Sequence, residues 1–285
     1  MSAAAPVPAG AAGRTYRPGR TAILIGATIM AAVLAAAVLA PVLAPHDPYA
    51  QSIATRFRPP SAEHWLGTDG FGRDTFSRIL YGLRVTLLTA FASTSLALVA
   101  GTALGIMSGY YGGTLDRWIS AANDLLMSFP QMVAGIIMVA LLGPGVTNLI
   151  LAIAITAFPA FYRMARSAAL ALRGRDYIDA CRVLGYSDGR IMLRHILPET
   201  MDDMIVVGTL WLATAVRTES SLAFIGLGAP PPAATLGGLV REGFDNLLEY
   251  PGLAIWPSLM ILLIMIGLNL IGDGLRDSND PRASA

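Results

Sequence analysis

Six stretches of this chain are long apolar runs, and the pieces between them are charged or rich in glycine and proline. The first run, Thr21 to Ala44, contains no charged residue. As a helix rising about 1.5 Å per residue it covers a hydrocarbon layer of roughly 30 Å. Further runs cover about Val85 to Met107, Trp118 to Leu142, Val146 to Tyr162, Met204 to Gly228 and Gly252 to Ile271. Lipid offers backbone N–H and C=O groups no partner, so each run is predicted helical. The pattern predicts an all-α, polytopic membrane protein with six transmembrane helices, the fourth short and the third and fifth bearing charges. Arg14, Arg17 and Arg20 ahead of the first run would also suit a cleaved signal. That run is longer than a usual signal core of about 7 to 15 residues, so it is read as a retained span.

One polar piece breaks the rhythm differently. From Asp176 to Glu199 the chain reads DYIDACRVLGYSDGRIMLRHILPE. Asp176 is placed to cap a helix whose first turn also holds Asp179. Tyr177, Ala180, Cys181 and Leu184 then follow helical spacing and form one apolar stripe. Gly185 stands where helices commonly end in a left-handed residue. A second helix begins near Ser187, puts Ile191, Met192 and His195 or Ile196 on one side, and is interrupted at Pro198. Arg190 lies on this second piece. Such a helix–bend–helix can rest on lipid headgroups or insert its stripe into a partner's groove.

Composition sharpens the picture. Of 285 residues 54% are hydrophobic and 14% charged, with a mean hydropathy of +0.58, outside the range of soluble domains. Every basic side chain is arginine. With no lysine there is no Walker A loop, so this chain does not itself hold ATP in that way. A lone cysteine excludes an internal disulfide, and His46, His64 and His195 show no metal-ligand spacing. A net charge of +1 argues against a nucleic-acid partner. With the amino terminus inside, the inner segments carry thirteen arginines and the outer ones six, Arg56, Arg58, Arg73, Arg78, Arg84 and Arg241. Positive flanks stay in the cytoplasm, so both termini and the polar piece are expected there.

Here a family comes into view. DACRVLGYSDGRIMLRHILP resembles the cytoplasmic loop of ABC importer permeases, with Asp179, Ala180 and Cys181 at its Glu-Ala-Ala places, Gly185 at its glycine and Leu197-Pro198 at its ending. Asp for Glu, Cys for Ala, and His195 for isoleucine are departures, and the His-Ile-Leu-Pro ending is similar to the peptide-transporting branch. HWLGTDGFGRDTFSRILYGLRVTL, ESSLAFIGLG and NLIGDGLRDSNDPR resemble other blocks of the C-type permease of dipeptide and oligopeptide importers. The resemblance implies the type I ABC importer permease fold in a bacterial cytoplasmic membrane. It also implies a second permease subunit, two ATPase subunits that carry ATP and Mg, an external substrate-binding protein and a peptide substrate. This chain would then be no enzyme and hold no cofactor. Tyr177, Asp179, Ala180, Cys181, Leu184, Gly185 and Arg190 would carry coupling to the ATPase. The same machinery with nickel complexes or glutathione as cargo is a rival reading, and a stand-alone secondary transporter another, although no inverted repeat is seen.

Charge inside a span is costly and usually faces a cavity or a partner. Asp124, Arg217 and Glu219 are therefore candidates for the translocation path or the permease interface; capping or solvation near the membrane surfaces is the other account of them. Arg217 and Glu219, two apart, are expected on different sides of their helix. GTDGFGRD, Gly67 to Asp74, lacks the pattern of a calcium loop and is read as turns, with Asp74 capping a surface helix from Phe76 to Leu83 whose arginines are solvated. The expected organisation is a tail at 1–20, the first span and external connection at 21–84, a core at 85–275 with the coupling loop at 163–200, and a tail at 276–285.

Overall fold

A computed structural model describes residues 18–279, so Arg14, Arg17, Arg282 and most of the two expected tails lie outside the described residues. Among the described residues every regular element is a helix, apart from one isolated bridge between Thr68 and Asp74. Besides a 3-10 turn at Ile53–Thr55, the α-helices in chain order are α1 (Pro18–Val38), α2 (Ala40–Leu43), α3 (Thr75–Tyr111), α4 (Gly113–Met127), α5 (Gln131–Leu142) and α6 (Val146–Leu172). Then come α7 (Asp176–Val183), α8 (Asp188–Ile191), α9 (Leu197–Phe224), α10 (Leu236–Phe244) and α11 (Gly252–Asn279).

Helix α3 corrects the reading of the second span. No separate surface helix precedes it; one 37-residue helix starts at Thr75, with the Asp74 carboxylate accepting from Ser77 N as N-cap. Its arginine is also placed differently. Arg78 is not solvated but buried, its guanidinium donating to Asp69 Oδ2 at 2.5 Å and to Glu242 Oε1 at 3.0 Å. Arg73 joins the same cluster, 2.7 Å from Asp69 Oδ2 and 3.0 Å from Glu242 Oε2. Neutralised in this way, the charge on Arg78 can be buried at the head of the helix.

The third run is also corrected. Helices α4 and α5 meet at 97° rather than forming one straight span. Pro130 supplies no N–H and pushes the residue before it out of helical geometry, and Ser128 Oγ instead bonds Leu125 O at 2.7 Å. Helices α1, α3, α6 and α11 are each long and apolar enough to cross a membrane, and the α4–α5 pair counts as a fifth crossing if broken spans are included. Helix α9, 28 residues, has the length but carries Glu199, Asp202, Asp203, Arg217 and Glu219.

Close helix packing here rests on small residues. A methyl group placed on Gly105 of α3 would lie 2.6 Å from Tyr162 O and 2.8 Å from Ala165 Cβ of α6, and Gly109 stands equally close to Arg166 O. Helices α1 and α11 meet the same way, Gly26 against Gly267 O. Two apolar cores result. One joins α1, α3, α9, α10 and α11 through residues such as Val33, Leu83, Val216, Leu236 and Ile264. The other runs from Ala97, Ile106, Phe161 and Ala165 of the long helices into Ile178, Cys181, Ile191 and Ile196 of the polar piece.

Candidate functional site

The second core makes the polar segment part of the bundle. Ile178, Ile191 and Ile196 are each 0% exposed. Burying three such side chains contributes on the order of 1.5 to 3 kcal/mol each, so the segment is seated firmly on α3 and α6. Polar contacts fix its angle. Tyr110, near the end of α3, donates to Asp188 Oδ1 at 2.7 Å, and the Arg182 guanidinium lies over the Tyr110 ring, 5.3 Å from its centre. Arg173 donates to Gly109 O at 3.1 Å. Tyr177 donates to Glu199 Oε2 at 2.8 Å, tying α7 to the first turn of α9. Burial, and then the neighbouring Glu199 carboxylate, hold the Tyr177 phenol above its usual range.

Helix α7 has no side-chain cap: Arg175 is its N-cap residue, and Asp176, expected there, is the first helical residue. Asp176 and Asp179 instead act as first-turn charges favourable to the helix dipole. Asp179 also accepts from Arg182 at 2.7 Å. The helix ends as expected. Gly185 has φ +77°, its N–H bonds Arg182 O at 2.9 Å, and Tyr186 N–H bonds Cys181 O at 3.0 Å. That pair of bonds is a Schellman motif.

The apolar stripe, however, divides. Cys181 and Ile178 face inward, and Cys181 Sγ sits 3.7 Å from His195 Nε2. Tyr177, Ala180 and Leu184 face outward, joined by Val183, which is 88% exposed. Sequence spacing missed this because a stripe on a two-turn helix is wide enough to straddle the boundary between inner and outer faces. Arg190 is exposed and stacks over the Tyr186 ring at 5.3 Å, which in turn stacks on His195. Nor does Pro198 interrupt the second helix. A π turn at Met192–Ile196 joins α8 to α9, and Pro198 falls in the first turn of α9, where its missing N–H costs little. The path from α7 through α8 into α9 is therefore nearly continuous helix.

Above this platform lies a polar knot absent from the sequence reading. Arg166 of α6 grips Asp116 of α4 with Nε and Nη2, at 2.5 and 2.7 Å. Ser108 also donates to Asp116, and Tyr162 Oη lies 2.7 Å from Ser108 Oγ and 2.9 Å from Ser120 Oγ. The knot locks α3, α4 and α6 together where they approach the α7–α8 segment.

The three charges singled out inside spans do not come together. Asp124 is exposed on α4, just before the break. Arg217 is exposed on α9 and lines an open cavity of about 400 Å³ with Met132, Ser220, Ser221, Ser258 and Ile261. Glu219 is 0% exposed, does not line that cavity, and accepts from Ser220 Oγ at 3.3 Å, so it belongs to helix packing rather than to a solvated or cavity-facing surface. The GTDGFGRD segment is built of turns: Asp69 Oδ1 accepts from Phe71 N and Arg73 N, and Gly67 and Gly72 have positive φ.

Comparison with known proteins matches this architecture. Residues 101–285 fit the family model described as the binding-protein-dependent transport system inner membrane component. Residues 20–60 fit the N-terminal transmembrane domain of oligopeptide transport permease C. The chain is 42% identical over 229 residues to the dipeptide transport system permease protein DppC of Alkalihalophilus pseudofirmus, covering 80% of this chain and 75% of that one. It is 41% identical over 223 residues to the glutathione transport system permease protein GsiD of Pectobacterium atrosepticum, covering 78% and 74%. In fold it is similar to a chain of the MetNI methionine ABC transporter in an inward-facing conformation, with a TM-score of 0.57 at 21% identity, covering 71% of this chain and 96% of that one.

Proposed function

The chain belongs to the inner membrane components of binding-protein-dependent transport systems, in the peptide-type ABC permease branch, and we propose that it moves short peptides through a pore shared with a second permease. Two separate ATPase subunits drive the stroke, and a binding protein on the opposite face delivers the cargo. Both termini and the α7–α8 platform face the cytoplasm, in keeping with the arginine asymmetry.

One observation carries the mechanism: an outward apolar crest, Ala180, Val183 and Leu184, rides on a helix whose inner face is continuous with the core of the spans. A displacement imposed on the crest by a closing ATPase pair moves Ile178 and Ile191, and through them α3, α6 and α9, as one packed body. Interiors of this kind resist compression and so transmit displacement. The Gly185 turn and the Tyr110 contacts set the angle of the lever. ATP hydrolysis stays with the partner subunits; this chain converts their motion.

For the path, the Arg217 cavity is the part of the chain suited to a peptide. Among the described residues the Arg217 guanidinium has no carboxylate partner, and beside three serines it offers a charge partner to a free carboxylate terminus and hydrogen bonds to peptide groups. Glutathione, carried by one relative in its printed name, is itself a tripeptide with free carboxylates and fits the same chemistry.

The test is uptake by the purified complex in proteoliposomes. Loaded binding protein and internal ATP should drive accumulation of a labelled dipeptide or tripeptide, and a free amino acid should not compete. Accumulation driven by an ion gradient without ATP, or ATP-driven uptake indifferent to every peptide offered, would overturn the reading.

A further inference from the structure

Away from the platform and the cavity, the fold gathers three residues that sequence spacing keeps apart. His46 follows α2, His64 lies in the connection to α3, and Asp74 caps α3. One ring nitrogen of each histidine and one oxygen of Asp74 lie within 4.8 Å of one another. His64 Nδ1 is 2.9 Å from Asp74 Oδ1, and the two imidazoles are tilted against each other with centres 4.6 Å apart. Asp74 is held by its second oxygen, which accepts from Ser77 N at 2.8 Å and Ser77 Oγ at 2.7 Å. His46 is positioned by its own backbone N–H, which donates to Ser77 Oγ at 3.3 Å, and by Nε2, 2.9 Å from Glu63 O. His64 and Asp74 are buried, while His46 is half-exposed and leaves one side open for an ion to enter.

We propose that His46, His64 and Asp74 form a binding site for a divalent transition-metal ion of the zinc class. Two imidazole nitrogens and one carboxylate oxygen are the ligand set such ions take, with a fourth position left to water. Magnesium and calcium, which need six or more oxygens, are poorly served. At ligand distances of about 2.0 to 2.2 Å, tetrahedral donors stand roughly 3.3 to 3.6 Å apart. The His64–Asp74 pair opens slightly as the ion replaces their shared proton, which moves to the other ring nitrogen or to solvent. The half-exposed His46 ring makes the larger adjustment. An Asp74 oxygen fixed by Ser77, and a His46 ring steadied at its other nitrogen or its backbone, supply the outer support that metal ligands usually have. A bound ion would staple the end of the first span, the connection and the start of α3.

Binding of Zn²⁺ alone to the chelator-treated complex tests this, with Mg²⁺ as control. The contact of Cys181 with His195 is a second place a thiophilic ion could settle, so the measurements are made in a Cys181→Ser background. Expected are one tightly bound Zn²⁺ per chain, X-ray absorption showing two imidazole nitrogens with light-atom oxygen neighbours, and raised thermal stability with Zn²⁺ and not with Mg²⁺. His46→Gln, the least buried of the three, should weaken Zn²⁺ binding at least tenfold while the complex keeps its elution profile. His64→Gln should do the same if it assembles. Substoichiometric binding, a sulfur or all-oxygen shell, or His46→Gln binding Zn²⁺ like the parent would overturn the site and leave the three residues as a hydrogen-bonded brace.

Discussion

Replacing Gly185 with valine isolates the geometry of the proposed lever from its contacts. At φ +77° the residue is left-handed, and a methyl group built there has nothing within 4 Å. The penalty is therefore one of backbone conformation, not of collision. A left-handed L-residue costs roughly 1 to 2 kcal/mol, and a β-branched one lies at the upper end or beyond. Opposing the escape from this conformation are the two backbone bonds of the Schellman turn, worth about 0.5 to 1.5 kcal/mol each. The terms are close in size, so the turn does not simply survive the change. At about 1.4 kcal/mol per tenfold, the strain shifts the ratio of correctly angled to misangled platforms by roughly 5- to 30-fold, which is the ceiling on the competent population lost. Asparagine, which tolerates the left-handed region, should lose far less, and alanine should fall between. The assay is ATP-driven peptide uptake into proteoliposomes, normalised to assembled complex, with ATP hydrolysis measured with and without loaded binding protein. Expected is an uptake order of Gly, Asn, Ala, Val, falling several-fold to thirtyfold, with basal hydrolysis kept and its stimulation lost. Valine at the parental rate with normal stimulation would refute the lever. So would asparagine and valine failing equally, because left-handed geometry would then not be the variable.

Further outcomes follow from particular residues. In a Cys181→Ser background, Leu184→Cys or Val183→Cys should form an oxidative cross-link with a cysteine in the partner ATPase groove, at a yield that changes with ATP, whereas native Cys181, turned inward, should not; cross-linking from Cys181 alone would reverse the assigned faces. Arg217→Gln should raise the apparent KM for peptide uptake about tenfold or more with hydrolysis stimulation retained, and Arg217→Lys should recover part of the loss; unchanged uptake by both variants removes Arg217 from the path. Gly105→Val, forced against Tyr162 O and Ala165, should destabilise the chain by about 1 to 3 kcal/mol, read as a lowered midpoint of thermal unfolding in detergent, with Gly208→Val, where nothing lies within 4 Å, as the milder comparison. A reporter fused after Ser284 and one near Ala180 should read cytoplasmic and one near Ala62 external; labelling near Ala180 from outside intact cells would invert the topology.

The sequence by itself determined the class of molecule and the chemistry of its ends. Apolar runs of membrane length can satisfy their backbone only as helices, so the all-α fold was written in composition and run length. The Gly185 turn was legible because only a residue without a β-carbon sits easily at positive φ, and the cap at Asp74 because a carboxylate before a helix meets free N–H groups. Facing and continuity were decided by tertiary structure. Whether Cys181 points in or out depends on which side of a two-turn helix joins the buried core and meets His195, and local spacing cannot state that. Arg78 is buried at the head of helix α3 rather than solvated because Asp69 and Glu242, the latter far along the chain, neutralise it. The third span breaks at Pro130, but the 97° turn follows from where α5 finds its packing partner in α6. His46, His64 and Asp74 meet only because the connection folds back onto the head of α3, and that juxtaposition depends on long-range closure, which period and propensity do not encode.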